Sequence, residues 1–271
     1  MTTQSYLIPP SKDSLGDRLK GQEQVEAARK LDPKLPVMMR LDGKAFHTFT
    51  RGLKRPYDTR LSALMVGTAA HLVEHTHALV GYTQSDEITL CWLPTEAGEY
   101  MYDGKVQKLT SVVASMASVY FALKCRELIP EKADSFPVFD SRVWNVPGVR
   151  DVYLNYVWRQ QDAVKNSISM AAQAHFSSKA LHGVGSEAKK QMLRDVGSPW
   201  EDEPLFFKMG TFVERVSRMV ELTPEQLAKI PEKHRPTGPV MRSGVEPLAL
   251  GYLQDDPLEA DRIFGTGLWQ S

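Results

Sequence analysis

Two acidic stretches hold the residue types best suited to chemistry. An apolar run over residues 35–39 leads into Arg40-Leu41-Asp42-Gly43. A strand ending in Asp-Gly sets a carboxylate at the rim of a sheet, followed by a residue that permits close backbone approach. Lys44-Ala45-Phe46-His47 then offer successive backbone N–H donors and two donor side chains. This set suits a divalent metal ion beside a polyphosphate. The second stretch, Gln84-Ser85-Asp86-Glu87, reads as the turn of a hairpin joining β-rich runs at 78–83 and 88–93. Two adjacent carboxylates at a strand end are costly together unless water or a cation meets them. Each stretch alone is equally a strand with a solvated turn, so what matters is whether the fold brings Asp42 and Asp86 together.

The elements around them predict that it does. A charged helix is expected over residues 11–31, stopped by Pro33, and a strand over 36–41. Residues 61–77 form an amphipathic helix, with Leu61, Leu64, Met65, Ala69, Leu72 and Val73 at i, i+3, i+4 spacing. The hairpin follows, then a helix over 108–128 and a strand over 136–144 with Asp140 and Arg142 on one side and Phe139 on the other. Strand, helix, hairpin, helix, strand is the split βαβ order. It predicts an α+β fold, a ferredoxin-like antiparallel sheet with helices on one face. In that layout Asp42 and Asp86 converge, and two carboxylates at a sheet edge fit two-metal-ion nucleotidyl transfer with the Gly43 carbonyl as an added ligand.

Other stretches carry weaker signals. The loop over 50–60 holds Arg51, Lys54, Arg55 and Arg60, either solvated or set against phosphates. His71-Leu72-Val73-Glu74-His75 matches the H-x-x-E-H zinc-peptidase pattern, without a clear third ligand. Residues 149–176 read as a long helix on which Arg159, Asp162 and Asn166 share one polar face, turned to solvent or to substrate. Residues 204–220 look strand-like at first, and 231–271, with five prolines and five glycines, read as an extended tail. The expected division is an N-terminal arm and helix over 1–34, the catalytic unit over 35–148, helical and strand additions over 149–230, and the tail over 231–271. Formal net charge is zero, with 33 basic and 33 acidic residues, so bulk charge makes no case for a nucleic-acid partner, and a local basic patch stays open. Cys91 and Cys125 stand in unrelated contexts, which suggests reduced thiols and a cytoplasmic protein. We expect no signal peptide and no membrane-spanning run.

Six ordered motifs tie these pieces together. They are Arg40-x-Asp42-Gly43-Lys44-x-Phe46-His47-x-Phe49, Pro56-x-Asp58, Tyr82-x-Gln84-Ser85-Asp86-Glu87, Lys108-x-x-Ser111, Phe139-Asp140-Ser141-Arg142-Val143 and Trp158-Arg159-Gln160-x-Asp162-x-x-x-Asn166. Over about residues 37–166, extending to 211, the chain resembles the tRNA-histidine guanylyltransferase family, including its guanylyltransferase-like members. The resemblance implies a polymerase-palm-like domain that adds nucleotides to RNA 5′ ends in the 3′-to-5′ direction. It implies two Mg2+ ions on Asp42, Gly43 and Asp86, with Arg40, Glu87 and Lys108 also at the reacting centre. Residues 42–47 (Asp42, Gly43, Lys44, Ala45, Phe46, His47), Arg55, Asp58, Ser85 and Asp86 would hold GTP or ATP. Arg142, Arg159, Asp162 and Asn166 would face tRNA, and the assembly would be a homotetramer. Members devoted to tRNA-histidine carry His-Ile-Asn-Asn where this chain has Val164-Lys165-Asn166-Ser167. The departure favours the like-protein branch, which extends truncated tRNA 5′ ends, over addition of a single guanosine. A palm-type nucleotide cyclase and a non-catalytic RNA-binding module share parts of the pattern.

Overall fold

The computed structural model describes residues 15–94, 100–248, 250–254, 256, 260, 263 and 264; the arm expected over 1–12 and most of 255–271 lie outside these residues. The described elements run α1 (Gly16–Ala27), β1 (Val37–Gly43), α2 (Phe46–Phe49), α3 (Thr59–Thr76), β2 (Val80–Gln84), β3 (Glu87–Trp92), α4 (Val106–Leu128), β4 (Phe139–Asn145), α5 (Val149–His175), α6 (Ser178–Leu181), α7 (Ser186–Asp195), α8 (Leu205–Met209), β5 (Thr211–Val220), α9 (Pro224–Ala228) and β6 (Val240–Leu248). Six strands form one sheet in the order β4-β1-β3-β2-β5-β6, every neighbouring pair antiparallel. The first four strands and α3 and α4 are the split βαβ unit, with β1 and β3 at its centre.

Alternation along β1 sends its side chains to two different cores. Val37, Met39 and Leu41 join Leu64, Leu72, Val113 and Phe121 under α3 and α4. Met38 joins Tyr153, Tyr156 and Phe212 on the opposite face. Helices therefore cover both faces, not one. α5 covers the second face because Val152, Tyr153, Tyr156 and Val157 give it an apolar stripe of its own. Arg40 and Asp42 lie on the face that α5 covers.

α4 departs from the expectation about membranes. By length and composition alone this helix, Val106–Leu128, is apolar enough to cross a bilayer. Leu109, Val113, Ala117 and Phe121 pack into the core, while Val119 and Leu123 on its outer side are exposed.

Two regions beyond the split βαβ unit take shapes the sequence did not announce. The stretch from 204 opens with a short helix, α8, before β5 begins. Gly210 makes that switch at φ 72°; a Cβ there would lie 2.5 Å from the Tyr82 hydroxyl and 2.7 Å from the Thr83 carbonyl oxygen. Within the stretch read as a tail, β6 pairs with β5 along nine residues, from Phe212 opposite Leu248 to Val220 opposite Val240. Gly244 and Pro247 blur its strand pattern, and Pro247 is tolerated because β6 lies at the sheet edge. Residues 250–254 then cross α5. Gln160 donates to the Gly251 carbonyl at 3.0 Å and accepts from the Leu253 amide at 2.6 Å. The Tyr153 hydroxyl donates to the Gln254 carbonyl at 2.6 Å.

Candidate active site

The site forms where β1 ends and β2 turns into β3. The Gly43 amide donates to the Asp86 carbonyl at 3.0 Å, which locks the two acidic stretches side by side. Ser85 adopts a left-handed conformation at φ 50° in the turn, and its hydroxyl bonds the Asp86 carboxylate at 3.1 Å. Gly43 has no room for a side chain, since a Cβ would stand 2.4 Å from the Phe46 ring. That ring is buried among Phe49, Phe121 and Phe139, at centroid distances of 5.1 to 5.3 Å. The aromatic cluster thereby presses the chain after Asp42 against the strand end. Ala45, left-handed at φ 57°, turns it into α2.

Register sets a row of carboxylates across this end of the sheet. Asp42 stands opposite Glu87 on one side and Asp140 on the other. Burial raises the Asp42 pKa first, then the charges of Glu87 and Asp140, against the lowering influence of Arg142 and Arg40. Burial likewise raises Asp86, with the Asp42 charge adding to it and hydrogen bonds from its own backbone and Ser85 opposing. Among the described residues no group of three or more His, Cys, Asp or Glu side chains is placed to hold a metal ion. A cation at Asp42 and Asp86 would complete its shell with backbone, water and ligand oxygens, as Mg2+ commonly does.

Beside Asp86 opens a cavity of about 420 Å³, within the range of small-molecule sites. Of the residues expected to hold nucleotide, Phe46, His47, Arg55, Asp58, Ser85 and Asp86 line it, and so does Asn166, which was expected to face tRNA. Arg51 and Lys54 join Arg55 at its basic side. Its wall also holds Tyr57, Met65, Met170, Gln173, Phe206 and Phe207, none of which the motifs pointed to. Tyr57 contacts Phe207 at a centroid distance of 4.7 Å, so a loop aromatic and a residue of α8 close one side.

Three expected site residues take other positions or roles. Asp58 is buried and caps α3, accepting from the Arg60 amide at 3.0 Å and the Lys54 amide at 3.3 Å and pairing with the Arg60 guanidinium at 2.8 Å. Its oxygens organise the basic loop and are not free for a ligand. Hydrogen bonding from Arg60 holds its pKa down at about 2. Asp58→Ala is expected to cost about 1–2 kcal/mol as a lost cap. Because the folded value is depressed, the advantage of the native protein is full above the ordinary 3.8 and disappears as pH falls through about 2. Melting both proteins across that range checks it; a gap that does not shrink in acid would remove the ion pair from the account.

Arg159, expected to face RNA, is only 5% exposed. It pairs with Glu87 and, at 2.9 Å, with Asp162, so it fastens α5 to β3 and is closed to RNA. The polar stripe of α5 is thus partly turned inward, because Glu87 on the sheet supplies its partner. Lys108 is not brought to the carboxylates. It lies over the Tyr102 ring at 5.1 Å, near the start of α4, whose Val106 amide bonds Arg29. That end of α4 is adjacent to the segment preceding β1, not to the strand end bearing Asp42. The zinc pattern on α3 is likewise occupied. The His75 ring nitrogen bonds the His71 carbonyl at 2.9 Å, and His71 stacks on Tyr120 at 4.4 Å.

A split βαβ sheet joins two acidic strand ends beside a small-molecule cavity, which is a palm-like arrangement. A sequence model described as tRNAHis guanylyltransferase matches residues 18–147. A solved bacterial tRNA(His) guanylyltransferase-like protein in complex with ATP is 35% identical, with a TM-score of 0.71 over 75% of this chain and 87% of that one. The chain belongs to the tRNA(His) guanylyltransferase family. A bacterial like-protein in complex with GTP is 29% identical, with a TM-score of 0.70 over 92% and 96% of the two chains. The tRNA(His) guanylyltransferase of Schizosaccharomyces pombe is 29% identical over 193 residues, covering 69% of this chain and 71% of that protein.

Proposed function

We propose that this protein is a Mg2+-dependent enzyme that adds nucleotides to the 5′ end of tRNA, in the 3′-to-5′ direction, to repair truncated ends. The observation that carries the reading is the Gly43–Asp86 backbone bond, which holds the strand end bearing Asp42 beside Asp86, and Asp86 in turn lines the cavity. Two carboxylates whose ionised forms are disfavoured by burial and by each other fit a site that gains from a divalent cation. Asp42, the Gly43 carbonyl and Asp86 would hold two Mg2+ ions, which would activate the 3′ hydroxyl of the incoming nucleotide toward the RNA 5′ phosphate and offset charge on the group that phosphate expels, a nucleoside monophosphate or pyrophosphate installed from ATP or GTP.

The remaining work falls to the chain itself. The Phe46 and His47 amides open the first turn of α2 and have no acceptor within that helix, so they can meet phosphate oxygens. Lys44, His47, Arg51, Lys54 and Arg55 are exposed and form no ion pair with a described residue, leaving their positive charge for a triphosphate of GTP or ATP. Tyr57, Phe207 and Met170 give the cavity an apolar wall suited to a base. The like-protein complexes with ATP and with GTP support a nucleotide substrate.

Template-directed repair is preferred to addition of a single guanosine because Asn166 and Ser167, within the departing Val164–Ser167 segment, line the cavity. Exposed Val119 and Leu123 on α4 support contact between copies in a homotetramer. The test supplies labelled nucleotides with a 5′-truncated tRNA, with intact tRNA-histidine and without RNA. We expect template-matched extension of the first, at least about tenfold above addition to the second. Cyclic product without RNA would establish a cyclase instead, and no product with any substrate would leave an RNA-binding module.

A further inference from the structure

Asp42 lies at the end of β1 on the α5-covered face of the sheet, with Asp86 in the turn beside it. The cavity lies toward β2 and β5. Toward β1 and β4 lies an open shelf that the proposed reaction has not yet used. Its floor is two arginines: Arg40 and Arg142 stand directly opposite each other in neighbouring strands. Like charges so placed destabilise a sheet unless something answers them. Asp140 answers Arg142 at 3.2 Å. Arg40 forms no ion pair with a described residue, and its Nε is buried without a hydrogen-bond partner.

Over this floor stands Trp158. The Arg40 guanidinium lies 5.7 Å from its ring centroid and that of Arg159 4.6 Å. Its neighbours Val157 and Arg159 are buried, yet Trp158 is 52% exposed. An indole held by two guanidinium groups but left half in water is set up as a rigid platform.

We propose that Trp158 is the stacking platform for the 5′-terminal base of the RNA acceptor, with Arg40 and Arg142 holding its 5′ phosphate. The proposal rests on the nucleotidyl-transfer reading. It seats the acceptor on the opposite side of Asp42 and Asp86 from the incoming nucleotide. Arg40 is two residues before Asp42 on the same strand face, so a phosphate held there is adjacent to the carboxylates. The charged floor favours an RNA end over a second copy of this chain, which would bring apolar cover.

The test measures binding of a labelled, 5′-phosphorylated single-stranded RNA by anisotropy to the full chain and to Trp158→Ala and Trp158→Phe, together with KM for RNA and for nucleotide. Trp158→Ala should weaken RNA binding and raise KM for RNA about tenfold, the scale of one base–aromatic stack. KM for nucleotide should stay within about twofold, Trp158→Phe should recover most of the loss, and removing the 5′ phosphate should weaken binding to the native protein. Unchanged RNA binding in Trp158→Ala overturns the proposal, as does an equal rise in both KM values. A changed oligomeric state with RNA binding intact also overturns it and assigns the indole to contact between copies. A native protein that adds no nucleotide but shows this binding pattern loses the reaction and keeps the platform. Normal addition with no effect of Trp158→Ala does the reverse.

Discussion

Asp42→Ala and Asp86→Asn should each lower nucleotide addition by about 10³-fold or more, without loss of the fold. The same substitutions should leave the protein as stable as before or more stable. Both carboxyls have raised folded values, led by burial. A raised value means that the folded state prefers the proton. The associated stability is present below the ordinary 3.8 and is lost as pH rises through the folded value. At neutral pH both groups therefore act against folding, and neutralising either one relieves it. Melting without divalent ions should place Asp86→Asn at or above the native protein. Adding Mg2+ should raise the melting temperature of the native protein and leave both variants unmoved. Full activity in either variant, or an equal Mg2+ gain in all three proteins, would remove the metal assignment.

Arg159→Met should be the most destabilising single change at the site, at about 3 kcal/mol, because it removes the cation paired with the largely buried Glu87 carboxylate and leaves it the Gln84 amide at 3.0 Å. Restoring charge balance with Glu87→Gln in the same chain should recover most of the loss, as expected for directly coupled residues. Urea unfolding of the two single variants and the double variant gives the coupling. A single-variant loss under about 1 kcal/mol, or no recovery in the double variant, would show that the pair does not hold α5 to the sheet. Glu87 is the largest charge raising Asp42. The effect of Arg159 is therefore expected to reach the reacting centre although its side chain is shut away from it.

The parts of this site that could be read in the sequence are those fixed locally. Asp42-Gly43 and Ser85-Asp86 sit where strands end, and strand order alone makes those ends neighbours. The alternation of Phe139, Asp140 and Arg142 was legible for the same reason: a period of two fixes which side chains share a face. What stayed hidden depends on partners distant in sequence. Arg159 reads as surface until Glu87 is known to lie beneath it. Tyr57 and Phe207 share no periodicity, and only the placement of α8 against the basic loop makes them one wall. Lys108 occupies a motif, yet the direction in which α4 runs across the sheet carries it to the other end. β6 was obscured by Gly244 and Pro247, residues that an edge position allows and a central strand would not.

The late arrival of β5, β6 and the segment bound to Gln160 has a consequence for synthesis. A nascent chain can assemble β1 to β4 with α3 and α4 as soon as residue 145 has emerged. The other face then waits. Phe212 and Leu253, which share a core with Met38 and Tyr156, have not yet emerged from the ribosome. During that interval β2 is an open edge, later taken by Thr211 to Glu214, and such edges invite pairing with other chains. The enzyme is thus most exposed to misassembly after its carboxylates have met and before its last strands are made.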